Sequence, residues 1–143
     1  MKALTTLLVI GMFATTVAMA DDVDDVKSAV QKYLTALNTG DVNAYVQSRT
    51  PESSAFGAAN GGLVQNFYSL EEQRNRFQGL VDSGFKFNVQ IRHLEVKVYG
   101  NAAIVTGYSV EGNTTDQRTG VWIKQGGQWK QAHRHESPLS TPQ

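Results

Sequence analysis

The sequence predicts an α+β fold, with helices on one face of a curved antiparallel sheet. Three observations carry this. Between Asp22 and Asn38, Val23, Val26, Val30, Tyr33, Leu34 and Leu37 recur at helical spacing and form one stripe. From Phe85 onward the apolar residues alternate instead, the period of a half-buried strand. Near the end, Gly126-Gly127 separates two alternating runs, as in a two-residue hairpin loop whose central positions need positive φ. Helices first and strands afterwards is the order of an α+β chain, not of repeated βαβ units.

The first twenty residues stand apart. Lys2 gives a positive start, Ala3 to Val17 is apolar apart from threonines, and Ala18-Met19-Ala20 is a small-x-small cleavage signal. The apolar run is too short for a membrane anchor, and the acidic Asp21, Asp22, Asp24 and Asp25 follow at once. We expect a signal peptide over 1–20, a single domain over 21–143, and a periplasmic or secreted location. The chain has no cysteine, so such a protein stands on packing alone. Thirteen basic and 13 acidic residues balance, which excludes the electrostatic footprint of a nucleic-acid binder. No basic amphipathic helix suggests a membrane surface once the signal is removed.

The elements follow in order. The acidic cluster opens helix one at the positive end of its dipole, and Gly40 stops it. Asp41 caps a short second helix from Val42 to Ser48. Phe56 and Leu63-Val64 read as short strands around an Asn60-Gly61-Gly62 turn. Ser69 and Glu72 form a capping box for a third helix, with Leu70, Phe77, Leu80 and Val81 apolar and Gly84 its end. Phe85, Phe87, Val89 and Ile91 alternate. After Arg92 the phase flips to Leu94, Val96 and Val98, which predicts a β-bulge. A turn at Tyr99-Gly100-Asn101, a strand from Ala102 to Val110, a polar loop from Gly112 to Asp116, the hairpin and a loose tail from Ser137 complete the chain.

A regular hairpin on Gly126-Gly127 pairs Lys124 with Trp129, Trp122 with Gln131, Gly120 with His133 and Arg118 with His135. One face then carries Arg118, Trp122, Lys124, Trp129, Gln131, His133 and His135. The other carries Thr119, Val121, Ile123, Lys130, Ala132, Arg134 and Glu136. Parity alone does not say which face is inside.

The run Tyr33-Leu-Thr-Ala-Leu-Asn-Thr-Gly40-Asp41-Val-Asn-Ala-Tyr-Val-Gln47 resembles the start of ketosteroid isomerase and its relatives. The end, Thr119-Gly-Val-Trp122, Gly127-Gln-Trp129 and His133-Arg-His135-Glu-Ser137, resembles SnoaL-like domains and the association domain of calcium/calmodulin-dependent kinase II. The resemblance spans nearly all of the chain after residue 20. It implies the nuclear transport factor 2-like (cystatin-like) fold, a cone of curved sheet wrapped on N-terminal helices. The fold hosts isomerases, cyclases, dehydratases and non-enzymes, so function rests on individual residues. By the resemblance Tyr33 stands where the isomerases keep an oxyanion-donating tyrosine. Their general base falls near Gly57 and their second oxyanion donor near Thr119. Glycine cannot replace a base, which counts against isomerase chemistry. The kinase domain's pocket arginines fall on Gly120 and Glu136. The isomerase comparison also turns Thr119, Ala132, Arg134 and Glu136 inward, leaving Trp122 and Trp129 on an exposed face suited to a homodimer.

The resulting expectation is a small-ligand-binding domain without catalytic residues, cofactor or metal. Its pocket is lined by Tyr33, Phe56, Thr119, Arg134 and Glu136. His133 and His135 have metal-ligand spacing but lack a third ligand, and Arg118 opposite His135 opposes a cation. Arginine offers a fork for a carboxylate. If Glu136 neutralises Arg134 the pocket suits neutral organic ligands; if not, it suits anionic ones. The alternatives are an isomerase, cyclase or dehydratase using Tyr33 with another base, and a purely structural oligomerisation module. A pocket-facing acid of raised pKa favours the first of these.

Overall fold

The computed structural model describes residues 11–59, 62–64 and 69–139. Three helices, α1 (Gly11–Thr39), α2 (Val42–Gln47) and α3 (Leu70–Asp82), accompany six strands. These are β1 (Arg49–Ala59), β2 (Gly62–Val64), β3 (Gln90–Tyr99), β4 (Ala102–Glu111), β5 (Thr114–Gln125) and β6 (Gln128–Pro138). They form one sheet in the order β2-β1-β6-β5-β4-β3. The sheet is mixed, not wholly antiparallel as expected, because β1 runs parallel to β6. No helix among the described residues is long and apolar enough to cross a membrane.

The stripe on α1 is the core. Val26, Val30, Tyr33, Leu34 and Leu37 are all buried, and they pack with Val105, Trp122 and Trp129 from the sheet. Gly40 adopts φ 73° and ends the helix. The Asp41 carboxylate then accepts from the Ala44 amide at 2.9 Å, so α2 starts at once and adds Val42 and Tyr45 to the core beside α1. Asn38 fixes the far end of α1. Its side-chain amide donates to the Val89 carbonyl and its carbonyl accepts from the Val89 amide, both at 2.9 Å. The Ser69–Glu72 capping box is present at the start of α3.

The phase flip after Arg92 is a bulge. The β3–β4 register shifts between Arg92 and Glu95, and His93 takes up φ 53°, the only positive φ among described non-glycine residues. Four boundaries differ from expectation. α1 begins at Gly11 and not at the acidic cluster, so Asp21, Asp22, Asp24 and Asp25 lie within the helix and outside its first turn. Phe85 and Phe87 precede β3 and meet edge-on at 4.8 Å, with Phe87 also 5.6 Å from Phe77. The loop expected from Gly112 to Asp116 is a two-residue turn, so Asp116 lies within β5. The tail stays in the sheet through Pro138, where Leu139 still donates to the Thr115 carbonyl. The Phe56 and Leu63-Val64 strands pair as β1 and β2, while Asn60-Gly61 lies outside the described residues.

The hairpin corrects the largest expectation. Near the turn Lys124 pairs with Trp129 and Trp122 with Gln131, as expected. Then the register shifts, because Ala132 is one extra residue in β6. Beyond it Val121 pairs with His133, Gly120 with Arg134, Thr119 with His135 and Arg118 with Glu136. The bulge brings Arg134 and Glu136 onto the same face as Trp122, Trp129, Gln131 and Arg118. That face is the inner one: Trp122 is 1% and Trp129 6% exposed. The tryptophans are core, not a dimer surface.

A buried arginine–tyrosine centre

Tyr33 lies on the buried stripe of α1 with no exposed surface. Elements on every side aim polar groups at it. From α2, the Tyr45 ring stands 5.8 Å away. From the start of β1, the Arg49 guanidinium lies 5.3 Å from the Tyr33 ring and 4.3 Å from that of Tyr45. Its Nη2 donates to the Tyr45 hydroxyl at 2.8 Å. From β5, Arg118 reaches over the Tyr33 ring at 4.9 Å. From β6, Arg134 Nη1 donates to the Tyr33 hydroxyl at 2.9 Å.

One carboxylate answers two of these three guanidiniums directly. Glu136 Oε1 accepts from Arg118 Nη1 at 3.1 Å. Its Oε2 lies 3.5 Å from Arg134 Nε, an ion pair without a hydrogen bond, and that Nε–H stays unpartnered. Arg49 Nε is also buried without a partner. Deeper still, Gln131 is fully buried and neither end of its amide finds a partner. Such groups in a native core mark a place for water or a ligand.

The electrostatics follow from this excess of cations. Burial alone pushes the Tyr33 phenol up. Arg118, Arg134 and Arg49 reverse this against the opposition of Glu136, and the net result is a pKa lowered from 10.0 to about 7. Burial works against the Arg134 charge, but Glu136, Tyr33 and Tyr45 hold its pKa above the ordinary arginine range. Arg49 is lowered by burial first, with Arg134 and Arg118 adding to it. Burial would raise Glu136, yet Arg134, Arg118 and Arg49 hold it below the usual carboxylate range. Asp116, two residues before Arg118 and opposite Ser109, is raised by burial, Glu136 and Glu111, and its Oδ1 is buried unpartnered.

The interior is tightly filled. Gly120 is required here, because an added Cβ would stand 3.0 Å from Trp122 Nε1 and 3.3 Å from Gln131 Nε2. The void between α1 and the sheet, bordered by Val30, Val105, Gly107, Arg118, Gly120 and Trp122, measures about 10 Å³. That is room for at most one water. An organic ligand can meet this centre at its rim, where the side chains of Arg134 (19% exposed) and Glu136 (11%) still reach solvent.

Of the five expected lining residues, the structure brings together Tyr33, Arg134 and Glu136. It does not bring Phe56 or Thr119. Both lie on the outer face, where each pairs with His135, while the bulge turns Arg134 and Glu136 inward. Phe56 is 40% exposed and meets His133 and His135 edge-on at 5.6 and 6.3 Å. Thr119 borders an open outer groove of about 610 Å³ with His93, Glu95, Thr106, Tyr108 and Gln117. His133 Nδ1 is 2.8 Å from Ser54 Oγ, and His93 lies three strands away from β6. No group of three or more metal-ligating residues exists among the described residues. Sequence reasoning missed Arg49, Arg118, Asp116 and Gln131. The parity of Arg118 with Trp122 was a usable signal once the tryptophans are taken as core.

Comparison with known proteins agrees with this architecture. A family model described as a SnoaL-like domain matches residues 26–141. No curated protein matches. Among solved structures, a putative dehydratase of the NTF2-like family from Streptomyces avermitilis superposes with a TM-score of 0.73 at 18% identity, over 85% of this chain and 99% of that one. The CaMKII hub of S. rosetta superposes with a TM-score of 0.68 at 23% identity, over 82% and 96%. A cystatin-like protein of unknown function from Nostoc punctiforme gives 0.66 at 14% identity, over 82% and 90%. These likenesses establish the fold.

Proposed function

The chain belongs to the SnoaL-like domain family, and on that premise we propose that it is a binding domain for a small organic anion held at the rim by Arg134 and its neighbours. One observation carries this reading. Three guanidiniums surround one buried phenol, and a single carboxylate, Glu136, is shared between two of them. Buried cations without counter-charge are costly, and a carboxylate ligand relieves that cost. Glu136 is an unsuitable general base, since the arginines hold it ionised and occupied.

The test is thermal shift with a panel of monocarboxylates and their methyl esters on wild type and Arg134→Ala. Stabilisation by the acids, lost in the variant, supports the reading. Equal stabilisation by the neutral esters overturns it.

A second reading has its own support. Asp116 is an acid of raised pKa on the inner face, close enough to Glu136 to feel its charge. It could act as the base of an isomerase- or dehydratase-type reaction with Tyr33 as donor. Turnover of a cyclic ketone by wild type, abolished in both Asp116→Asn and Tyr33→Phe, would establish that activity.

The protein of this reading is exported, with its signal over 1–20, and dimeric. The dimer surface belongs on the outer sheet face at Ile104, which is 41% exposed, with Val121 and Ile123 beside it.

A further inference from the structure

The centre is short of negative charge around a fully buried phenol, and it opens to solvent only at Arg134 and Glu136. Around Tyr33 stand Tyr45 from α2, Arg49 from β1, Arg118 and Trp122 from β5, and Arg134 and Glu136 from β6. Asp116 lies beyond Glu136. Counting formal charges near the phenol, three arginines face one glutamate. The Tyr33 hydroxyl accepts from Arg134, yet among the described residues no hydrogen bond takes up its own proton. A phenol that accepts from one guanidinium, has two more over its ring and lacks an acceptor is arranged as its conjugate base.

We propose that a bound anion and the Tyr33 phenolate are alternative counter-charges for the same arginines, so that each anion bound is accompanied by one proton taken up at Tyr33. In the empty site the phenol releases its proton to solvent, and the phenolate oxygen takes the hydrogen bond from Arg134. When a carboxylate settles on the rim side of Arg134, the guanidinium's positive field is shared with it. The phenolate loses support and recovers a proton from solvent. No covalent bond other than O–H forms or breaks. The inference rests on the anion-binding reading above and names its regulation. The pKa of about 7 places the exchange where modest pH changes act on it.

Reciprocity makes both halves measurable. Benzoate serves as the probe, with its affinity followed by calorimetry and tyrosinate followed by ultraviolet difference absorbance. In the ligand-free protein one tyrosine should ionise near neutral pH, far below the ordinary range of about 10. Tyr33→Phe should abolish that step, and the exposed Tyr99→Phe should keep it. Saturating benzoate should move the step to higher pH. Benzoate affinity should fall about tenfold per pH unit above neutrality in wild type, the signature of one coupled proton, and stay flat in Tyr33→Phe.

The outcomes separate the two claims. No benzoate binding even at about pH 5.5, where Tyr33 is protonated, overturns the anion-site reading and the exchange with it. Binding that is unchanged from about pH 6 to about pH 9 leaves the anion site standing and overturns only the exchange. Absence of a low-pH tyrosine step in the ligand-free wild type also overturns the exchange, whether or not the Tyr33→Phe variant folds.

Discussion

Glu136 and Tyr33 set opposite limits on stability against pH. Glu136 is held below the ordinary carboxylate range, so its contribution is present above that range and is lost as acid protonates it. Tyr33 is an acid of depressed pKa. Its contribution is full above 10.0 and disappears as pH falls through about 7. The ligand-free protein should therefore lose less stability between neutral and alkaline pH than Tyr33→Phe does. Melting temperature against pH for both proteins checks this, and parallel curves would count against it. Replacing Glu136 by Gln leaves three enclosed cations without an acid. We expect a loss of about 3 kcal/mol in denaturant unfolding, the scale for breaking a buried pair. This residue scale was only partly legible. Tyr33, Arg134 and Glu136 could be picked from helical spacing and family likeness. Arg118 could not, because its inward direction depends on which hairpin face meets α1.

The elements themselves were mostly readable. Helical stripe, capping box, Gly-Gly loop and the phase flip at Arg92 each have a local cause, and each produced the expected element. The hairpin failed for a reason that sequence period cannot show. Ala132 is a small residue in an alternating run, and nothing local marks it as the extra residue of a bulge. Whether that single residue pairs or bulges decides whether Arg134 sits outside or inside. Deleting Ala132 should remove the bulge and keep Arg134 opposite Gly120 and Glu136 opposite Arg118 on the inner face. The expected result is cooperative unfolding with carboxylate-dependent stabilisation retained, and loss of that stabilisation in a folded variant would overturn this account of the register. Trp122→Glu should instead disrupt cooperative unfolding, since Trp122 is core. Its cost should be at least about 3 kcal/mol, as for removing a buried tryptophan, whatever the subunit state.

At the scale of the molecule, the sheet separates two environments. Its inner face is spoken for by α1, and its outer face carries an exposed Ile104 opposite Val121, with Phe56 at 40% exposure further along. A second copy of the chain covering this face is the expected assembly. Sedimentation should give a dimer for wild type and a folded monomer for Ile104→Glu. A monomeric wild type at micromolar concentration would remove the proposal. Fold class was legible at this scale because helix-then-strand order constrains it strongly. The parallel β1–β6 pairing was not, since it joins segments about eighty residues apart with no local signal.

The same pairing dictates a timetable. Tyr33 meets Arg134 across 101 positions, Lys124 meets Asp22 across 102, and the Gln131 backbone N–H donates to the Ser48 carbonyl. On a ribosome the first of each pair emerges long before the second. Until β6 leaves the exit tunnel, the Tyr33 hydroxyl has no Arg134 to accept from and the core beside α1 lacks Trp129. Chains of such high contact order fold slowly and late. Nascent chains halted before Gln128 should remain protease-sensitive along their whole length, and resistance should arrive in one step when the final strand is released.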